Sequence, residues 1–302
     1  MSDSGSGGAG EVWDVRRLLR WSAEWLARRG IASPRLDGEL LLADALGVER
    51  LALYLDPDRP LTPAELQAFK QRITRRAARE PVAYILGQRE FWSRSFRVGP
   101  GVLVPRPETE CLIEAILARV SDRQFPLSIL DLGVGSGVLL LTLLQEFPRA
   151  HGTGIDCAPE ALAYAQINAQ RFDLLSRAHL LQGDLCKACG SDLLPASGFD
   201  LIVSNPPYIG QTEWSTLQPE VRDWEPATAL VAAEEGQALY RQMFTHCLSL
   251  LRPSGWLVLE IGATQGAPVR QMAVDSGLQQ VEVLEDYARH PRVVVGQALP
   301  RL

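Results

Sequence analysis

The sequence has no apolar run longer than a strand, so no membrane-spanning helix and no membrane partner are expected. Cysteine is sparse and odd in number: Cys111, Cys157, Cys186, Cys189 and Cys247 are spread along the chain. That usage fits a reducing, cytoplasmic compartment. The close pair Cys186 and Cys189 has no second pair to complete a zinc site. The four histidines, His151, His179, His246 and His290, share no ligand spacing, so no metal is expected. An excess of positive charge is also missing. The net charge of -6 argues against a protein whose main partner is a long nucleic-acid duplex, and no stable nucleic-acid partner is expected. Residues 1–10, MSDSGSGGAG, are neither basic nor amphipathic, and read as a disordered polar tail with no targeting role. No periodic face calls for self-association, which predicts a monomer.

What is present is ample apolar residue, 46 % of 302, in patterns that change along the chain. Residues 11–88 read as helical. Val12, Val15, Leu18, Leu19, Ser22 and Leu26 form one stripe, stopped by Gly30. Ser33 with Pro34 predicts an N-cap and first turn, and Thr62, Pro63 and Glu65 predict a capping box. Arg72, Arg75, Arg76 and Arg79 are expected on an outer, solvated face, with docking of an acidic or RNA-bearing partner as the other reading. Residues 89–104 switch to alternation, with Phe91, Phe96, Val98, Val102 and Val104 on a buried side. A hairpin turning at Gly99–Gly101 is expected there as a linker. In PRPETE, 105–110, Pro107 starts a helix and Glu108 and Glu110 lie in its first turn. Arg106, fixed between prolines, is a candidate for the cleft wall.

Residues 105–302 are expected to form one domain, in which strands and helices alternate from 127 onward. Strands are predicted at 127–132, 151–156, 178–182, 199–204, 256–261, 280–285 and 292–297, and helices at 137–146, 158–170, 236–251 and 265–275. Alternation of this kind gives an α/β, doubly wound, mostly parallel sheet of seven strands. The link from Asp286 to Pro291 is too short for a parallel crossover, so the last strand is expected to be antiparallel.

The chain is organised around LSILDLGVGSGVLLLTLL, 127–144: a buried strand, a loop with Gly133, Gly135 and Gly137, and a helix start. Successive strand ends carry Asp131, Asp156, Asp184 and Asn205, which should converge in one crevice. Asp156 can accept hydrogen bonds from both ribose hydroxyls of an adenosine. Asp184 can meet its amino group, with Leu185 against the ring. Asp131 disfavours a pyrophosphate but suits a cation, and the spacing is G-x-G-x-G where the dinucleotide pattern has G-x-G-x-x-G. Together these predict S-adenosylmethionine, with an ammonium, a sulfonium and no phosphate. The loop residues Val134 and Ser136, and Cys157 beside Asp156, join the candidate cofactor-binding set.

The second stretch is NPPY, Asn205 to Tyr208, after the apolar strand 199–203. Pro206 and Pro207 hold the chain extended and remove two donors. The Asn205 side-chain oxygen and the Pro206 carbonyl can then accept the two hydrogens of a planar NH2, with Tyr208 packed on its face. An amide nitrogen so held presents its lone pair to an electrophile, and the acceptors stabilise the positive charge that develops.

Over 12–299 the sequence resembles the HemK/PrmC family, the release-factor glutamine methyltransferases. The resemblance rests on PRPETE, DLGVGSG, the segment that begins at Asp156, GDL at 183–185, SNPPYI, VRDWEPATAL at 221–230 and LEIGATQG at 259–266. It implies the class I S-adenosylmethionine-dependent methyltransferase fold. It also implies transfer of a methyl group to the side-chain amide of the GGQ glutamine in class I peptide-chain release factors. It assigns the glycine loop, Asp156 and Asp184–Leu185 to the cofactor, Asn205–Tyr208 to the glutamine, and the helical domain to holding the release factor. Arg106 and Glu108 are carried as candidate substrate contacts. Val134 departs from the usual threonine. Ala232, Ala233 and Glu235 depart from the usual Gly-Gly and Asp, a change expected to alter a loop near the substrate but to touch no reacting residue. Segment 209–235, with Trp214 and Trp224, is expected to cover the substrate.

Two other activities use a similar receptor: adenine-N6 methylation of nucleic acid, and methylation of a glutamine or asparagine in another protein. The first requires gripping and flipping a nucleotide, for which the charge and the small helical domain give no support. A binding scaffold without activity would have no need of Asn205.

Overall fold

The computed structural model of the protein describes residues 12–185, 194–195 and 197–300. The tail 1–10 and the pair Cys186 and Cys189 lie outside the described residues. The chain divides into two compact units, one ending at Gly87 and one starting at Gln88.

The first unit is helical: α1 Val15–Ala27, α2 Pro34–Leu46, α3 Ala52–Leu55, α4 Pro63–Ala77 and α5 Val82–Leu86. Val15, Leu18, Ser22 and Leu26 form the buried stripe of α1, whereas Val12 precedes the helix and is exposed. Asp14 caps α1 by accepting from the Arg17 amide at 2.7 Å. The Thr62–Glu65 capping box is present on α4. Ser33, by contrast, makes no capping hydrogen bond: its backbone, φ -121° and ψ 57°, is outside the extended region that aims a capping hydroxyl at the helix, and Pro34 alone opens α2. The arginines of α4 and of the turn that follows it do not form a free basic face. Arg76 is buried and pairs with Asp37 of α2 at 2.7 Å, Arg72 pairs with Asp44, Arg75 with Glu80, and Arg79 donates to the Arg29 carbonyl. Acidic partners in α2 and just past α4 neutralise three of these charges.

The second unit opens with a hairpin, β1 Gln88–Phe91 and β2 Arg94–Arg97. Its turn is Trp92–Ser93, both left-handed at φ 51° and 55°. Two left-handed central residues match the twist of a two-residue hairpin, so the strands reverse here and not at Gly99–Gly101. The latter is a separate turn, closed by Val102 N–H to the Gly99 carbonyl at 3.3 Å. Phe91, Phe96, Val98, Val102 and Val104 are all buried.

The main sheet contains β3 Ser128–Leu132, β4 His151–Asp156, β5 Ala178–Gln182, β6 Phe199–Ser204, β7 Leu251–Glu260, β8 Gln279–Glu285 and β9 Pro291–Gln297, in the order β5-β4-β3-β6-β7-β9-β8. Only β9 runs antiparallel to its neighbours, as the short link requires. This is the mostly parallel seven-stranded sheet of the class I methyltransferase fold. β7 begins earlier than predicted, at Leu251, and the helix expected over 236–251 is Ala238–His246 followed by a 3-10 turn.

Among the described residues the longer helices of this unit are α6 Glu110–Arg119, α7 Val138–Glu146, α8 Pro159–Arg171, α9 Ala238–His246 and α10 Gly266–Asp275, with one short turn of helix at Pro219–Arg222. Alternate strand residues serve opposite faces. Ile129, Leu201, Val203, Val258 and Val293 pack with α6, α7 and α8. Leu130, Leu132, Ile202, Leu257 and Val294 pack with α9 and α10. Pro107–Thr109 forms a 3-10 turn leading into α6, so the helix expected from Pro107 begins in α form at Glu110.

Candidate active site

From β3 the chain adds β4 and β5 on one side and then returns to place β6 on the other. The carboxyl ends of β3 and β6 therefore flank the point where strand order reverses, the position at which such sheets open a crevice. Leu132 and Ser204 are register partners at these ends, and the Ser204 hydroxyl donates to the Leu132 carbonyl. The next residues, Gly133 and Asn205, enter the crevice side by side. A Cβ added to Gly133 would meet the Asn205 carbonyl oxygen at 3.9 Å.

The glycine loop is left-handed at Gly133, Gly135 and Gly137, with φ of 82°, 54° and 87°. Gly133 and Val134 donate to the Ile155 carbonyl at 2.8 and 2.9 Å. Gly135 donates to Asp156 Oδ2 at 2.9 Å and Ala158 to Asp156 Oδ1 at 3.0 Å. The Asp156 carboxylate is thus fixed by two backbone donors, and each oxygen retains a lone pair for a ligand hydroxyl. The Val134 side chain is buried against Gly154, so the departure from threonine removes no loop hydrogen bond from the backbone.

Asp131 is fully buried on the α7 face. Its Oδ2 accepts from the Leu140 amide at 3.1 Å in the first turn of α7, while Oδ1 has no partner among the described residues. Burial pushes this carboxyl up to about 7, the Leu140 hydrogen bond opposes the shift and the charge of Asp156 adds to it. A buried carboxylate oxygen lacking a partner suits a cation, and two adjacent carboxylates disfavour a phosphate. The ammonium and the phosphate-free ribose of S-adenosylmethionine fit this donor and acceptor set.

A cleft open to solvent runs along this edge, at the carboxyl ends of the strands. It is lined by Asp131, Gly133, Val134, Gly135, Ser136, Asp156, Cys157, Leu185, Asn205 and Pro207 of the predicted set. Gly137, Asp184, Pro206, Tyr208, Arg106 and Glu108 do not line it. Gly137 instead begins α7 against Leu141, and Asp184 is exposed. The sequence reading missed a wall built by Gly101–Leu103 and Pro105, and by Pro226, Thr228 and Ala229 of segment 209–235.

Behind Asn205 and Tyr208 lies a buried carboxylate, Glu260, at the end of β7. Its Oε2 accepts from the Thr109 hydroxyl at 2.6 Å and its Oε1 from the Tyr208 hydroxyl at 3.2 Å. Thr109 Oγ1 in turn accepts from Asn205 Nδ2 at 3.2 Å. Burial pushes Glu260 up to about 7 against the hydrogen bonds and the nearby Arg292 charge, and burial with the Glu260 charge pushes the Tyr208 phenol upward. Gln265 Nε2 bridges the Tyr208 and Glu235 carbonyls at 2.9 and 3.3 Å. Ile209 exchanges backbone hydrogen bonds with Leu230 and Ala232. The 231–236 segment therefore braces Tyr208, whereas the departures within it are expected from sequence to touch no residue of the chemistry. Arg106 is turned to Glu225 at 2.7 Å, and Glu225 also accepts from the Val104 amide at 3.0 Å. Arg106 ties segment 209–235 to the irregular stretch 104–106, and Glu108 is exposed.

Residues 17–87 match the PrmC N-terminal domain and residues 126–279 a methyltransferase domain. A release factor glutamine methyltransferase of Geobacter sulfurreducens is 40 % identical over 287 residues, covering 95 % of this chain and 98 % of its own. One from Caulobacter vibrioides is 42 % identical over 282 residues, covering 93 % and 96 %. Among solved structures, the 16S rRNA methyltransferase RsmC of T. thermophilus with AdoMet and guanosine has a TM-score of 0.50 at 19 % identity, covering 70 % of this chain and 49 % of its own. A methyltransferase from Pyrococcus furiosus has a TM-score of 0.50 at 15 % identity, covering 76 % and 98 %. These structures share the fold, and the near full-length relatives carry the identity: the chain belongs to the PrmC/HemK family of release factor glutamine methyltransferases.

Proposed function

We propose that this protein transfers the methyl group of S-adenosylmethionine to the side-chain amide nitrogen of the GGQ glutamine in class I peptide-chain release factors, giving N5-methylglutamine. The observation that carries this reading is the placement of Asn205 beside Gly133 at the strand reversal, within a chain whose relatives are matched over almost their whole length.

Asp131 and Asp156 would hold the cofactor's ammonium and ribose, with the glycine loop giving close backbone approach and Leu185 an apolar wall. When bound, the cofactor supplies an electrophilic methyl group on a positively charged sulfur. Asn205 Oδ1 and the Pro206 carbonyl accept the two hydrogens of the substrate amide, which orients its lone pair and stabilises charge developing on nitrogen. Tyr208, its hydroxyl held by Glu260, presents a fixed ring face to the amide plane. Pro206 and Pro207 prevent the receptor from donating hydrogen bonds of its own.

The test is transfer of labelled methyl to a purified class I release factor, compared with a factor whose GGQ glutamine is replaced and with duplex DNA. Label is expected in the intact factor alone, and its loss is expected in Asn205→Ala with cofactor binding retained. Label in DNA, or label that persists without the GGQ glutamine, overturns the assignment.

A further inference from the structure

Asn205 can serve as an acceptor only if its side-chain amide is oriented with Oδ1 toward the cleft, and the NPPY sequence does not set that orientation. Asn205 Nδ2 lies 3.2 Å from Thr109 Oγ1, and Thr109, 1 % exposed, lies 2.6 Å from Glu260 Oε2. A threonine hydroxyl has one proton. Ionised Glu260 can only accept, so that proton is committed to Glu260 and Thr109 offers a lone pair to its other neighbour. Only Nδ2 of Asn205 can meet a lone pair. Oδ1 is then left to face the substrate.

We propose that Thr109 and Glu260 form a polarity relay that orients the Asn205 amide, and that protonation of Glu260 reverses it. A proton taken from solvent stays on Glu260 Oε2, which then donates a hydrogen bond to Thr109 Oγ1. The Thr109 hydroxyl proton then turns toward Asn205, which can satisfy it only by rotating Oδ1 inward and Nδ2 into the cleft. Two donors, Nδ2 and the substrate NH2, then face each other. Glu260 simultaneously anchors Tyr208, so one carboxylate sets both flanks of Pro206–Pro207. Thr109 and Glu260 are positioning residues. The inference rests on the proposed role of Asn205 toward an amide.

The groups around Glu260 place its titration within reach. Burial and Glu108 raise it, while the Thr109 and Tyr208 hydroxyls and the Arg292 guanidinium lower it, for a net position of about 7. Arg292 is itself paired with Asp286. The nearby Cys111 thiol is pushed up to about 11 by burial and stays neutral, and Tyr240, also raised by burial, donates to the Glu260 backbone carbonyl at 3.0 Å. No titration of these two neighbours competes near neutrality.

Two measurements test the relay. In protein selectively 15N-labelled at asparagine, the Asn205 side-chain NH2 resonances, assigned by their loss in Asn205→Ala, should shift between pH 5.5 and 8.5 with a midpoint near 7. They should be pH-independent in Glu260→Gln. In methyl transfer at saturating cofactor and release factor, kcat should fall tenfold per pH unit on the acid side of that midpoint. Thr109→Ser should stay within threefold of the wild type with the same profile. Thr109→Val should lose at least thirtyfold in kcat and all of the acid limb, with cofactor affinity unchanged. Asn205 resonances that ignore pH, or a Thr109→Val enzyme as active as Thr109→Ser, overturn the relay. The resonance experiment needs no substrate, so it reads the relay even if the release-factor assignment fails.

Discussion

Gly236 lies against Tyr208 so closely that a Cβ on Gly236 would stand 1.9 Å from the Tyr208 carbonyl oxygen. Gly236 is also left-handed, at φ 81°. Any side chain there must displace the backbone of the receptor's aromatic residue and strain its own. Gly236→Ala is expected to lower kcat by about 10- to 100-fold, the scale of a misplacement of roughly 1 Å at a reacting centre. Cofactor affinity should hold within about threefold, because the glycine loop and Asp156 are supported elsewhere. Steady-state kinetics with calorimetric cofactor binding separates the two, and an alanine variant with unchanged kcat would show that Tyr208 is not held from this side.

Asp131 makes cofactor binding depend on pH. Its carboxyl, raised to about 7 by burial, must be ionised to meet an ammonium, and the ammonium lowers its pKa in the complex. Binding near pH 6.5 should therefore release a proton, and affinity should weaken about tenfold per pH unit below 7. Calorimetry in buffers of different ionisation enthalpy measures the release directly. Asp131→Asn should abolish both effects and weaken binding at pH 8 by about tenfold or more, on the order of 1.4 kcal/mol. Affinity that is flat from pH 5.5 to 8 in the wild type would exclude the Asp131–ammonium contact. The linked stability has the opposite sense. For Asp131 and Glu260 the folded value is raised above the unfolded one, so their contribution is full below the unfolded value and is lost as pH rises through about 7.

The seven strands were legible because buried parallel strands read as short apolar runs, and their ends carry Asp131, Asp156 and Asn205, whose polarity marks where burial stops. The hairpin turn was not legible, since Trp92 and Ser93 are not residues that favour left-handed backbone, whereas Gly99–Gly101 advertises a turn. The relay behind Asn205 was legible only in pieces. Glu260 ends an apolar strand and so could be placed at the crevice. Thr109 looks like one polar residue in a helix-starting segment, and only the sheet order brings it to a carboxylate 151 residues away. Arg106 shows the converse: its rigid setting was readable, but the partner that removes it from the cleft, Glu225, lies 119 residues on.

The arginine-rich α4 illustrates the same limit and yields a stability test. Helical periodicity places Arg76 relative to Arg72 and Arg79, but gives no information about the facing helix. The structure buries Arg76 on Asp37 at 2.7 Å, both under 10 % exposed, and Arg76 also donates to the Glu80 carbonyl at 3.2 Å. Removing one partner leaves the other charge in a low-dielectric site, at a cost of about 3–5 kcal/mol, whereas replacing both with apolar residues of similar size is often close to neutral. Arg76→Met should therefore destabilise the protein by about 3–5 kcal/mol in urea unfolding followed by circular dichroism. The double variant Asp37→Leu with Arg76→Met should recover at least half of that loss. Because the double variant keeps the helix and removes both charges, its recovery distinguishes a desolvated pair from an arginine that matters only for the bulk of its side chain. A single variant destabilised by less than about 1 kcal/mol would place Arg76 among the weakly contributing surface pairs.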